Sequence, residues 1–201
     1  MDEGRVNVDK NNRYRIFVGA FPTGQLAADL QRLRQRYDPK TAAITPPHVT
    51  LAGTYWRPGP YRAEGEAPSI DKLAETCSKQ QPFELVLGGV RTFTPTQRPV
   101  IYLAVEQTKS LLAIRQALLA VLGVDHHRRY TPHLTLAMRL RSEQARAMQA
   151  ELSGGSWDIG VFKIPIQQLH LMQRGPRDPA WQILAVFDLN SNSSRAVAGI
   201  S

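Results

Sequence analysis

Two six-residue segments of this 201-residue chain are nearly the same, Pro47-His48-Val49-Thr50-Leu51-Ala52 and Pro132-His133-Leu134-Thr135-Leu136-Ala137. Only Val49 and Leu134 differ. Both copies lie in strand-like sequence, where successive side chains alternate between faces. His48, Thr50 and Ala52 are expected on one face and Val49 and Leu51 on the other. The second copy repeats this with His133, Thr135 and Ala137 against Leu134 and Leu136. Each copy would bury its apolar face and present an imidazole and a hydroxyl, with the small Ala leaving room beside them. Set across a pseudo-two-fold axis, the four polar groups would converge in one cleft. A neutral imidazole can take a proton from an attacking water, and a protonated one can give a proton to a leaving oxygen. Each Thr hydroxyl can donate to a non-bridging phosphate oxygen as charge grows there. That set suffices for phosphodiester chemistry without a nucleophilic side chain or a metal. A lone His-x-Thr reads more simply as a strand with one satisfied polar pair. Core packing, however, gives no reason to repeat His and Thr together.

The elements that must position these residues alternate between strand and helix periods. Tyr14–Phe21 is β-rich and ends at Pro22, and Gly24–Tyr37 carries Leu26, Leu30, Leu33 and Tyr37 at helical spacing. A strand is expected around His48–Thr54, then an irregular Pro/Gly-rich loop over Arg57–Pro68. Ser69 or Asp71 would open a helix with Ile70, Leu73, Ala74 and Cys77 on one face, followed by a strand over Phe83–Val90. The order then repeats. Pro99–Val105 reads as a strand and Ser110–Gly123 as a helix with Leu111, Ile114, Leu118 and Leu122 inward and Gly123 as its stop. His133–Met138 follows as a strand and Ser142–Leu152 as a helix, with strands over Gly160–Gln173 and Trp181–Leu189. Tyr14 aligns with Val100, Gly24 with Ser110 and His48 with His133 at offsets of 86, 86 and 85, which points to an internal duplication. Residues 1–12 and 190–201 read as loose tails around one two-lobed domain over 13–189. The fold class is α+β, with antiparallel sheets around a central cleft and helices outside.

Composition narrows the function classes. With 42% hydrophobic and 21% charged residues, the chain can bury a core and is not disordered throughout. Lys plus Arg number 25 against 17 acidic residues, a net charge of +8 that suits phosphate-rich partners. A single cysteine, Cys77, excludes an internal disulfide framework and a Cys-cluster metal site. Neither a signal peptide nor a membrane span is read, so a cytoplasmic protein is expected; a monomer without a metal or other cofactor is expected as well.

The paired motifs resemble those of the 2H phosphoesterases, also called the 2′-5′ RNA ligase or cyclic phosphodiesterase family. Their signature is two His-x-Thr/Ser motifs in a duplicated two-lobed α+β fold. The resemblance runs from about Tyr14 to Leu189 and includes Phe83-Glu84-Leu85-Val86-Leu87-Gly88-Gly89-Val90-Arg91-Thr92-Phe93, which is similar to the family's strand, glycine turn and aromatic. It implies hydrolysis of 2′,3′-cyclic phosphates on nucleotides or RNA ends, with His48 and His133 as the catalytic pair and Thr50 and Thr135 binding phosphate. His48 is assigned as general acid and His133 as general base. The first motif continues Gly53-Thr54-Tyr55-Trp56-Arg57 where many bacterial relatives have a Phe-Leu-Gly-like run. Met138 stands where many place a basic residue, and Arg139 follows. Arg139 is therefore a candidate phosphate or base contact.

Phe93 and Tyr130 could stack on a nucleobase or pack at the strand ends. Tyr55 and Trp56 could line the cleft mouth or cover the first lobe. Arg128 and Arg129, beside His126 and His127, read as a solvated basic turn, and adjacent histidines lack the spacing of a metal-ligand pair on one helix face. The Arg32–Arg36 run reads as a solvated helix face and His170 as packed or exposed. Two rival functions remain: a 2′-5′ RNA ligase or phosphodiesterase running the same chemistry, and an RNA-binding protein without turnover.

Overall fold

The computed structural model describes residues 13–58, 63–93, 99–126, 129–138 and 140–190, with 63–68 described by backbone alone. Arg139, His127, Arg128 and the expected tails, apart from Asn190, lie outside these residues. The Asn190 N–H donates to Gln80 O at 2.7 Å.

Strands β1 (Arg13–Ala20), β2 (Val49–Pro58), β3 (Phe83–Phe93), β4 (Val100–Val105), β5 (His133–Met138), β6 (Phe162–Ile166), β7 (Gln168–Arg174) and β8 (Gln182–Asp188) form one antiparallel sheet. Its order, β6-β3-β4-β5-β2-β1-β7-β8, reads as two four-stranded halves related by a pseudo-two-fold axis between β5 and β2. Along β1, Tyr14, Ile16, Val18 and Ala20 enter the hydrophobic core. Arg13, Arg15, Phe17 and Gly19 therefore share the opposite face. The same parity puts Leu169 and Leu171 of β7 in the core and His170, Met172 and Arg174 on the other side.

The chain contains α1 (Gly24–Tyr37), α2 (Pro39–Ile44), α3 (Ala63–Ser78), α4 (Lys109–Leu122), α5 (Ser142–Leu152) and α6 (Ser156–Ile159). The two helices that follow β1 and β4, α1 and α4, are equal in length at 14 residues. In α4, Leu111, Ile114, Leu118 and Leu122 are buried as their spacing requires, and Gly123 ends the helix with its N–H on Leu119 O. The packing of this pair is crossed. Helix α1 packs against β5 and α4 against β2, so each half's helix supports the motif strand of the other half.

Three expectations need correction. The loop expected over Arg57–Pro68 is shorter, because β2 continues to Pro58 and α3 already starts at Ala63. Ala63, Glu64, Glu66 and Ala67 are strong helix formers, and the helix runs on through Pro68 although that residue cannot donate its backbone bond. The strand expected over Gly160–Gln173 is two strands. β6 pairs with β3 at one end of the sheet, and β7 pairs with β1 and β8 at the other, so the break at Gln167 is where the chain changes lobes. The duplication also has two offsets. Thr50 faces Gly19 and Thr135 faces Tyr102, which puts the first strands 83 residues apart while the motifs remain 85 apart.

Candidate active site

Each motif strand carries the same irregularity. In the first half the register runs Gly19↔Thr50 and then Val18↔Ala52, and in the second Tyr102↔Thr135 and then Ile101↔Ala137. Leu51 and Leu136 are thus extra residues, each the unpaired member of a bulge. Alternation holds from His to Thr and breaks after it. Leu51 and Ala52 are both fully buried in the core, as are Leu136 and Ala137. The two alanines therefore do not leave room beside the polar groups as strict alternation predicts.

The halves meet at β2 and β5 through a single residue pair, Val49↔Leu134. Antiparallel register through that pair sets His48 beside Thr135 and Thr50 beside His133. The two histidines fall on the diagonal, where Cβ atoms stand about 7–8 Å apart. Both rings are held alike: His48 Nδ1 lies 2.8 Å from Pro46 O and His133 Nδ1 lies 2.7 Å from Thr131 O. A carbonyl only accepts, so each Nδ1 carries the proton and each Nε2 is left for chemistry. Buried Pro47 and Pro132 explain the match. Proline fixes its own φ and restricts the residue before it, which aims that carbonyl back at the histidine.

Aromatic rings frame the two histidines differently. His48 stacks on Phe17 and Phe21 at centroid distances of 4.7 and 5.4 Å, and Phe21 stacks on His170 at 4.8 Å. Gly19 makes this possible, since a Cβ there would lie 2.9 Å from the Phe17 ring and 3.3 Å from that of Phe21. His133 instead meets ring edges, 4.9 Å from Phe93 and 5.2 Å from Tyr102, which stack on each other at 4.1 Å. Burial lowers the His48 pKa to about 4, with the charge of Arg34 and then His133 acting in the same direction. His48 is accordingly neutral at pH 7.

Behind the motifs lies a buried network that sequence reasoning missed. Asp125, just after α4, accepts from Arg115 Nη1 and Nη2 at 2.8 and 2.9 Å and from the Gly53 N–H at 3.3 Å. Arg115 also donates to Leu51 O at 2.6 Å, in the bulge itself. Its guanidinium lies 3.9 Å from the centre of the Tyr130 ring, whose hydroxyl donates to Thr50 O at 3.0 Å. The other half has a counterpart: Asp38, which ends α1, accepts from the Met138 N–H of β5 at 2.9 Å and from the Thr41 N–H at 3.0 Å. Arg34 donates to Thr45 O at 2.7 Å, directly before Pro46-Pro47-His48. Each aspartate thus crosses to the motif strand of the opposite half, where the sheet itself supplies only one residue pair. Gly53 is required beside this latch. Its φ is +127°, and a Cβ would lie 2.7 Å from Phe17 Cβ.

Of the residues singled out from sequence, the structure brings His48, Thr50, His133, Thr135 and Phe93 together around the β2–β5 junction. Tyr130 has its ring against Arg115 and its hydroxyl on the first motif's backbone. Tyr55 is a core residue bonded to Gly123 O, whereas Trp56 is 49% exposed. The Arg32–Arg36 run is not uniformly solvated. Arg34 is 1% exposed, while Arg32 and Arg36 stay on the surface and pair with Asp29 and Glu151. Sequence held one signal for these helix arginines and the later aspartates: both α1 and α4 place an Arg on an otherwise apolar face, with an Asp just past the helix end. Among the described residues no His, Cys, Asp or Glu cluster could hold a metal ion, and no helix is long and apolar enough to cross a membrane.

Comparison with known proteins bears on the family and the fold. Residues 22–178 match the 2′-5′ RNA ligase superfamily. A Bacillus cytotoxicus protein named "Putative phosphoesterase" is 27% identical over 180 residues, covering 89% of this chain and 99% of its own. Among solved structures, Thermus thermophilus TT0787 superposes with a TM-score of 0.58 at 19% identity, covering 89% of this chain and 99% of that one. Escherichia coli LigT in complex with 3′-AMP gives a TM-score of 0.57 at 17% identity, covering 88% and 98%. The fold is that of LigT.

Proposed function

The chain belongs to the 2′-5′ RNA ligase superfamily, and we propose that within it this protein is a metal-independent phosphoesterase that opens 2′,3′-cyclic phosphates on nucleotides or RNA ends. The observation that carries the reading is the matched pair of imidazoles. Each has Nδ1 tied to the carbonyl two residues back, and each stands beside the threonine of the other motif. LigT, which shares the fold, binds 3′-AMP, the kind of monoester that opening a cyclic nucleotide releases.

With a cyclic phosphate between the motifs, the Thr50 and Thr135 hydroxyls donate to its non-bridging oxygens. His48 Nε2 takes a proton from a water as that water attacks phosphorus. His133 Nε2–H gives its proton to the departing ribose oxygen. One P–O bond forms and one breaks, leaving a phosphate monoester and a free hydroxyl; solvent then returns the proton to His133 and removes it from His48. These roles exchange those assigned from sequence, because a histidine half-buried against Phe17 and Phe21, with its pKa lowered, favours the form that accepts a proton. Phe93, edge-on to His133, is placed to contact the sugar or base. Arg139 remains a candidate phosphate contact by its position after β5.

The test is hydrolysis of the four nucleoside 2′,3′-cyclic monophosphates in EDTA by wild type, His48→Ala and His133→Ala. Wild type should turn over with chelator present, and each variant should lose about 100-fold or more in kcat/KM. Wild-type turnover in either variant, or activity only when metal is added, overturns the reading. A 2′-5′ joined product from cyclic-phosphate and 5′-hydroxyl RNA ends would show the same site running in reverse.

A further inference from the structure

The face of β1 opposite the core continues past the histidines into a second cluster. From His48, Phe17 is 4.7 Å away, and Trp181 meets Phe17 edge-on at 4.7 Å. Arg15 lies over Trp181 at 5.2 Å and over Trp56 at 5.3 Å, and Arg13 lies over the same Trp56 ring at 5.7 Å. Arg174 sits opposite Arg15 in the β1–β7 register and donates to Asp178 O and Pro179 O, two neutral carbonyls. Arg13, Arg15, Arg174, Trp56, Gly175 and Pro176 line a cavity of about 150 Å³. Three guanidinium groups and a half-exposed indole form this cavity on the histidine side of the sheet.

Its separation from the histidines decides what it can bind. Thr50 faces Gly19, and Arg15 is four residues further along the same strand, roughly 13 Å at about 3.3 Å per residue. A cyclic mononucleotide has one phosphate and cannot fill both places. Guanidinium forks match phosphate oxygens, and aromatic rings and guanidinium planes accept stacked bases regardless of sequence. We propose that the Arg13, Arg15 and Arg174 cavity is a second phosphate subsite, taking an internucleotide phosphate of an RNA strand whose cyclic-phosphate end lies between His48 and His133, with Trp56 as platform for the adjoining base. This rests on the function proposed above and extends it: the substrate is an oligoribonucleotide, engaged over more than its terminal nucleotide.

Two measurements test the subsite. The first compares kcat/KM for a hexaribonucleotide ending in a 2′,3′-cyclic phosphate with that for the cyclic mononucleotide. Wild type should favour the hexamer by tenfold or more. Arg13→Gln/Arg15→Gln should bring the ratio down towards one, and Arg13→Gln, exposed at the start of β1, should reduce it partway. The second needs no turnover: a labelled hexaribonucleotide ending in a 3′-phosphate is titrated by fluorescence anisotropy at several salt concentrations. Losing one phosphate contact should flatten the slope of log K against log salt by about 0.7 in the double variant. An equal ratio in wild type and variants, or an unchanged salt slope, overturns the subsite. Absence of mononucleotide hydrolysis counts against the catalytic reading alone, because the binding titration still decides the subsite.

Discussion

Asp125→Asn should be among the most damaging single substitutions outside the histidine pair. The Asp125 carboxylate is fully buried and, among its bonds, accepts two from Arg115 and one from the Gly53 N–H. Asparagine keeps one oxygen and turns an NH₂ group towards a guanidinium that is only 8% exposed. Breaking a buried ion pair from one side leaves an uncompensated charge and costs about 3–5 kcal/mol. For a domain of this size, 1 kcal/mol moves Tm by roughly 2–4 °C, so the variant should melt roughly 6–20 °C lower. Arg115→Met/Asp125→Leu separates stability from positioning. Removing both charges should restore most of the lost Tm. Turnover should stay low, since Leu51 O and the Gly53 N–H lose the partners that hold the bulge after Thr50. Thermal melts and kcat/KM on a cyclic nucleotide read the two effects. An Asp125→Asn melt within about 2 °C of wild type would refute the argument, as would full turnover by the restored double variant.

Other substitutions probe other parts of the site. Thr50→Ala and Thr135→Ala should each lower kcat by about 100-fold or more if their hydroxyls stabilise the growing phosphate charge, with Thr→Ser retaining most activity. Gly53→Ala should destabilise the fold by about 1–3 kcal/mol in urea unfolding, because its φ of +127° and the nearby Phe17 backbone leave no place for a methyl group. His48 makes stability depend on pH. Its folded pKa of about 4 lies below the ordinary value of 6.5, so between these pH values the unfolded chain takes up a proton that the folded chain does not. Stability should decline as pH falls from 6.5 to about 4 and level off below, by at most about 3–4 kcal/mol from this group. His48→Gln should remove that part of the slope in melts taken across the range.

The duplicated motif was legible because both of its polar residues repeat together, and the helix faces of α1 and α4 were legible because their leucines keep helical spacing. The bulges at Leu51 and Leu136 were not. An extra residue in a strand leaves local hydrophobicity unchanged and emerges only from the register with β1 and β4. Arg34 looked like part of a solvated run because its neighbours do not reveal that its guanidinium turns inward onto Thr45 O, and nothing local to Arg115 shows that it reaches Leu51 O on the other half of the sheet. Phe17, Phe21 and His170 come from β1, the turn after it and β7, and only the sheet order brings them beside His48. The break at Gln167 was hidden because β6 and β7 both alternate apolar and polar residues as strands do, and nothing in that alternation says that they serve opposite ends of the sheet.

The pH dependence of kcat/KM on a nucleoside 2′,3′-cyclic phosphate, measured in EDTA, tests the paired-histidine account most directly. The account predicts a bell: activity rises through about pH 4 as His48 becomes neutral and falls on the alkaline side as His133 gives up its proton. A rate that keeps climbing into alkaline pH, or an acid limb centred on the ordinary histidine value of about 6.5, would contradict it.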